Sequence, residues 1–115
     1  MIITLLLLGA ITLQDDDATH RGQALKRSCA SWVGNEGQSV SAETAILAKD
    51  CDSYVTGLAD GLIVANRICV PDEVTNGQTA AVVLKFLNDH PERLHERRRT
   101  LASEALIRAF PCKGK

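Results

Sequence analysis

The chain has 115 residues, with 13 Lys and Arg against 14 Asp and Glu for a net charge of -1, and its few aromatic side chains are Trp32, Tyr54, Phe86 and Phe110. Such a balance offers no dominant positive field, which argues against nucleic acid or an anionic membrane surface as an obligatory partner. Leu, Val, Ile and Ala must therefore fill a single thin core, as in small helical bundles, and strand signals are nearly absent.

Residues 1–14, opening MIITLLLLGAITL, form an apolar run too short to cross a membrane comfortably and read as a secretory signal peptide. Residues 15–22 are acidic and polar without periodicity, a flexible lead-in to a helical domain over 23–115. A first helix is predicted from Gln23 to Val33, with Leu25, Cys29, Trp32 and Val33 inward and Gly34 stopping it. After the glycine-rich loop Gly34 to Val40, Ser41 is a good N-cap, with Glu43 suited to the positive end of the next helix.

That second helix is central, and it is predicted to continue to Asn66 or Cys69 and to be ended by Pro71. Leu47, Cys51, Tyr54, Val55, Leu58, Leu62, Ala65 and Cys69 carry the inward spacing. Ser53, Gly57, Gly61 and Ala65 recur four apart on an adjoining face, a stripe expected to admit a closely packed neighbouring helix. Thr75 and Gln78 make the T-x-x-Q capping box of a third helix, with Val82, Val83, Phe86 and Leu87 inward. Pro91, after the corner Asn88-Asp89-His90, opens a fourth helix running to Phe110 that buries Leu94, Leu101, Ala102, Ala105, Leu106 and Ala109. The fold expected is all-α, a compact four-helix bundle with two disulfides.

Export makes two disulfides the default among Cys29, Cys51, Cys69 and Cys112. A third helix rising roughly 20 Å and a fourth descending roughly 30 Å bring Cys112 back past Cys69, which leaves Cys29 for Cys51. No cysteine pair has C-x-x-C spacing, and His20, His90 and His95 are not placed to complete a metal site, so no metal or cofactor is expected. Asp60 has no visible partner for acid-base work and an oxidised cysteine has no thiolate, so the protein reads as no enzyme.

The runs Cys51-Asp-Ser-Tyr54-Val-Thr-Gly57-Leu-Ala-Asp60-Gly61, Cys69-Val-Pro71, Val74-Thr75-x-x-Gln78, Val82-Val83 with Phe86-Leu87 and Pro91, and Ala105-Leu106-x-x-Ala109-Phe110-Pro111-Cys112 resemble the Rap1a/Tai family of immunity proteins. The resemblance covers nearly everything from Cys29 onwards. It implies a small all-helical periplasmic protein, often dimeric, that binds and neutralises a peptidoglycan amidase toxin delivered by a type VI secretion system. It also implies structural roles for Cys51, Cys69 and Cys112, helix packing at Tyr54 and Gly57, and a polar position on the central helix at Asp60. The acidic lead-in and the charge-dense stretch Leu94 to Thr100 depart from the family pattern and bear on which toxin is bound.

An inhibitor needs stiff exposed corners, because ordering a floppy loop on binding costs affinity. Two qualify by sequence: Pro71 to Asn76, offering Asp72 and Glu73, and Asn88 to Arg93, offering Asn88, Asp89, His90, Glu92 and Arg93, with Arg97 nearby. The run Arg97-Arg98-Arg99 wraps round a helix axis and reads as a solvated face. The competing readings are a small disulfide-bearing periplasmic stress protein or chaperone, and a structural part of an envelope complex.

Overall fold

The computed structural model describes residues 15–113, so the signal-peptide reading lies outside the described residues. Five α-helices follow one another, α1 (Asp15–Thr19), α2 (Gly22–Trp32), α3 (Ala42–Val64), α4 (Asn76–Asp89) and α5 (Arg98–Ala109), with a 3-10 turn at Pro91–Arg93. Among the described residues there is no strand, only one isolated antiparallel bridge between Arg21 and Arg97, and the all-α expectation holds.

Local chemistry sets most of the helix starts. The Ser41 hydroxyl accepts from the Thr44 N–H, capping α3. At α4 both halves of the capping box are made: Thr75 Oγ1 accepts from the Gln78 N–H at 3.1 Å, and Gln78 Oε1 accepts from the Thr75 N–H at 2.7 Å. Pairing two orphan donors this way makes the helix start independent of distant contacts.

α2 packs along α3, α4 lies against α5, and α2 and α3 both meet α4. Leu25, Cys29, Cys51, Val55, Ala80, Val83, Leu87, Leu101, Ala102 and Leu106 lose all solvent contact between these helices. Each Leu or Val so buried contributes about 1.5–3 kcal/mol. The disulfides join Cys29 to Cys51 inside this core and Cys69 to Cys112 at its edge, closing separations of 22 and 43 residues. By restricting the unfolded chain alone they stabilise by about 3 and 4 kcal/mol.

Four expectations are corrected. α3 ends at Val64, well before Pro71, because Asn66 takes a left-handed conformation (φ 58°). The Asn66 N–H then donates to the Ile63 carbonyl and the Arg67 N–H to that of Leu62, a Schellman stop in which Asn does what glycine more often does. Ala65 and Cys69 therefore fall outside the helix and are exposed, as is Ala109 at the end of α5. The small-residue stripe accepts no neighbouring helix: a Cβ on Gly57 or Gly61 would meet nothing within 4 Å. Cys51, Val55 and Ala59 are the buried positions of α3, and a stripe two residues further on lies about 200° round the axis, facing solvent.

The predicted fourth helix is broken. Pro91–Arg93 make only a 3-10 turn and residues 94–97 belong to no helix, and carbonyls there turn to α2: the Gly22 N–H donates to Glu96 O at 2.9 Å and the Gln23 N–H to Leu94 O at 3.0 Å. α2 has no side-chain cap, so these carbonyls satisfy its first donors. Gly22 permits the approach, since a Cβ there would lie 2.4 Å from Leu101 Cδ1 and 3.3 Å from Leu94 O. The lead-in is likewise engaged: Asp15–Thr19 is a short helix, Asp17 pairs with Arg21 and Arg97, and the Arg98 N–H donates to His20 O at 2.8 Å.

Candidate functional site

The two predicted corners lie at opposite ends of α4, about 21 Å apart along its 14 residues, so they do not form one surface. At one end, Asp72 and Glu73 are exposed on a turn closed by the Val74 N–H donating to Pro71 O. That turn is anchored by the Cys69–Cys112 bridge and by the Cys69 N–H donating to Phe110 O at 2.9 Å. Glu36, from the loop between the left-handed Gly34 and Gly37, comes to this end beside Gly77. Sequence reasoning passed it over because nothing local links it to α4.

The other end gathers Asn88, Asp89, His90, Glu92 and Arg93. Asn88, Asp89 and Glu92 are exposed. His90 is half-buried with its ring 4.3 Å from that of Phe86, and its Nδ1 lies 2.8 Å from Phe86 O. A carbonyl can only accept, so Nδ1 carries the hydrogen. Arg93 faces into the fold instead of outward, with Nε 2.7 Å from Glu96 and Nη2 2.8 Å from Glu104. Those hydrogen bonds raise the Arg93 pKa and hold the Glu96 and Glu104 carboxyls below the usual range. Arg93 thus ties the broken segment to α5 through Glu96 and Glu104.

Beside this corner runs an open groove of about 830 Å³ with an apolar floor of Ala18, Ala24, Pro91 and Leu94 and a rim that includes Arg21, Arg27 and His95. Its wall is stiff: besides the two backbone bonds from α2, Arg21 Nη1 donates to His95 O at 2.9 Å. Next to it a smaller cleft of about 200 Å³ is lined by His20, Tyr54, Arg97, Arg98 and Arg99. Here Arg97 Nη1 lies 3.2 Å from Asp17, and the Arg98 guanidinium stacks 3.9 Å above the Tyr54 ring. Burial pushes the Tyr54 phenol up, with Arg98 and Arg99 opposing, so at neutral pH it keeps its proton. By sequence the triple arginine reads as a solvated face wrapping the helix; the structure instead brings all three to one cleft, because Tyr54 on α3 and His20 reach them through tertiary packing.

Asp60 is exposed on α3. Among the described residues no group of three His, Cys, Asp or Glu could hold a metal ion, none of the cysteines is free, and no helix is long and apolar enough to cross a membrane. The arrangement offers a rigid, charged end built for contact.

No curated protein and no solved structure matches the chain significantly. The family model of Rap1a immunity proteins matches residues 21–112, which begins where Arg21 opens α2 and ends on the second disulfide. On that match over most of its length, this chain belongs to the Rap1a immunity protein family.

Proposed function

We propose that the protein is exported to the periplasm, where it binds and blocks a peptidoglycan amidase toxin delivered by a type VI secretion system, catalysing no reaction itself. The family match carries this reading, because immunity to a toxin requires binding a protein partner. Its stiffness supports it: backbone bonds between residues 20–23 and 94–98, with the Arg93 pairs to Glu96 and Glu104, hold the contact end in shape before any partner arrives. Binding therefore orders little chain. We place the toxin on the end formed by the 88–95 corner and the neighbouring groove.

The protein acts as a homodimer through the uncovered face of α3. Ile46, Ser53, Gly57, Asp60, Gly61 and Val64 share that face, with Ile46 71% and Val64 83% exposed at its two ends. A face apolar at both ends, with Ser53, Gly57 and Gly61 and the single acid Asp60 between them, suits a two-fold contact between antiparallel copies.

The test is to mix the purified protein with peptidoglycan amidase toxins, beginning with any encoded near its gene, and follow peptidoglycan cleavage. Stoichiometric loss of cleavage with a stable complex is expected. Full amidase activity at excess protein would overturn the reading. Fractionation of expressing cells checks export, and material retained inside the cell would refute that part.

A further inference from the structure

We propose that the cleft of His20, Tyr54, Arg97, Arg98 and Arg99 is a carboxylate receptor, filled in the complex by an acidic side chain of the toxin. The proposal rests on the immunity reading and names the chemistry of one contact within it.

Three guanidinium groups and one phenol converge on a recess of about 200 Å³, room for a single carboxylate on a short stem. Among the described residues, Asp17 is the one acid paired with the trio, and it reaches Arg97 alone; neither Arg98 nor Arg99 has an ion-pair partner. Uncompensated cations this close repel one another, and an anion between them removes that penalty. Asp17 already shows the chemistry at the rim, a carboxylate oxygen 3.2 Å from Arg97 Nη1.

The cleft is also prepared for its ligand. Stacking on Tyr54 restricts Arg98 to one orientation, so little side-chain freedom is lost when the fork is engaged. A planar carboxylate meets such a fork through two parallel N–H bonds. The Tyr54 hydroxyl keeps its hydrogen and serves as a further donor. The cleft sits at the N-terminal end of α5, whose dipole also favours negative charge. Nucleic acid is a poor occupant, because the net charge of -1 supplies no extended positive surface to follow a phosphate backbone.

Two measurements test this. Sodium acetate titrated into the isotope-labelled protein at constant ionic strength is expected to give saturable amide shifts at Tyr54, Arg98 and Arg99. These shifts should vanish in Arg99→Glu and persist in Arg67→Glu, an equal charge change beyond the far end of α5. In the second measurement, Arg99→Glu lowers affinity for the amidase that the wild type is tested against by about 30-fold or more, with Arg99→Gln intermediate. Arg99 is exposed and makes no ion pair, so both variants keep the wild-type melting profile. Acetate shifts that never saturate, or Arg99→Glu binding the amidase as the wild type does, overturn the proposal while leaving the immunity reading intact. Failure of the wild type to bind the amidase overturns the immunity reading and the toxin as occupant, and the acetate titration then decides the receptor by itself.

Discussion

Gly22→Ala isolates the contact on which the broken fourth segment depends. Alanine is the better helix former by up to about 1 kcal/mol in a helix interior and by less at a first position, so propensity alone predicts a small gain. The structure reverses the sign. A Cβ at residue 22 would lie 2.4 Å from Leu101 Cδ1, and Leu101 is fully buried, so its methyl has no solvent to move into and must displace core neighbours. Retreat of α2 is blocked differently: it would stretch the bonds from Gly22 N–H to Glu96 O and from Gln23 N–H to Leu94 O. Overpacking of this kind costs about 1–3 kcal/mol, and two weakened hydrogen bonds add a fraction of about 1 kcal/mol each. We expect a net loss of about 2 kcal/mol, a fall in melting temperature on the order of 8–16 °C for a domain this size. Thermal and urea unfolding followed by circular dichroism measure it. A double-mutant cycle assigns the cause: in a Leu101→Ala background the cost of Gly22→Ala should shrink by about 1 kcal/mol or more. A neutral Gly22→Ala, or an unchanged cost once Leu101 is truncated, would refute the reasoning.

Asn66→Gly should hold or raise stability by up to about 1 kcal/mol, whereas Asn66→Val should lower it by about 1–2 kcal/mol, because φ 58° penalises a branched side chain; urea unfolding decides the sign. The Glu96 and Glu104 carboxyls are held low chiefly by hydrogen bonds to Arg93, so their contribution is present above the ordinary carboxylate pKa of 4.5 and is lost as pH falls through their lowered values. Arg93→Met should therefore flatten the acid limb of stability against pH, and an unchanged limb would sever the link. If the proposed α3 dimer forms, Val64→Lys and Ile46→Lys should each give monomer in light scattering with unchanged helicity; a wild type that stays monomeric at every concentration tested removes the α3 contact. A dye for exposed apolar surface should bind no more strongly on acidification than the unfolding curve accounts for, and a separate rise in the folded state would favour the chaperone reading.

The readable parts of this chain share one property, that their cause lies within a few residues. Thr75 and Gln78 satisfy each other's donors, Ser41 caps its own helix, and Pro91 bars helix at His90, so the starts of α3 and α4 and the end of α4 were legible in one dimension. The spacing of the cysteines and the motif order carried the family for the same reason. The small-residue stripe shows where pattern misleads: glycine at four-residue spacing permits close packing but does not say that a neighbour exists, and α2 and α4 meet other faces of α3.

What the amino-acid order determined by itself was therefore the helical class, the caps of α3 and α4, the inward positions within the helices it placed correctly and the kinship, all products of local hydrogen bonding and periodic apolar burial. What only the tertiary structure decided was the break at Leu94 to Arg97, the inward turn of Arg93 and the cleft where Tyr54 meets three arginines. The break and the cleft arise from groups far apart in sequence, α2 donors meeting the 94–96 carbonyls and Tyr54 meeting Arg98, while the turn of Arg93 follows once the break lets it reach both Glu96 and Glu104.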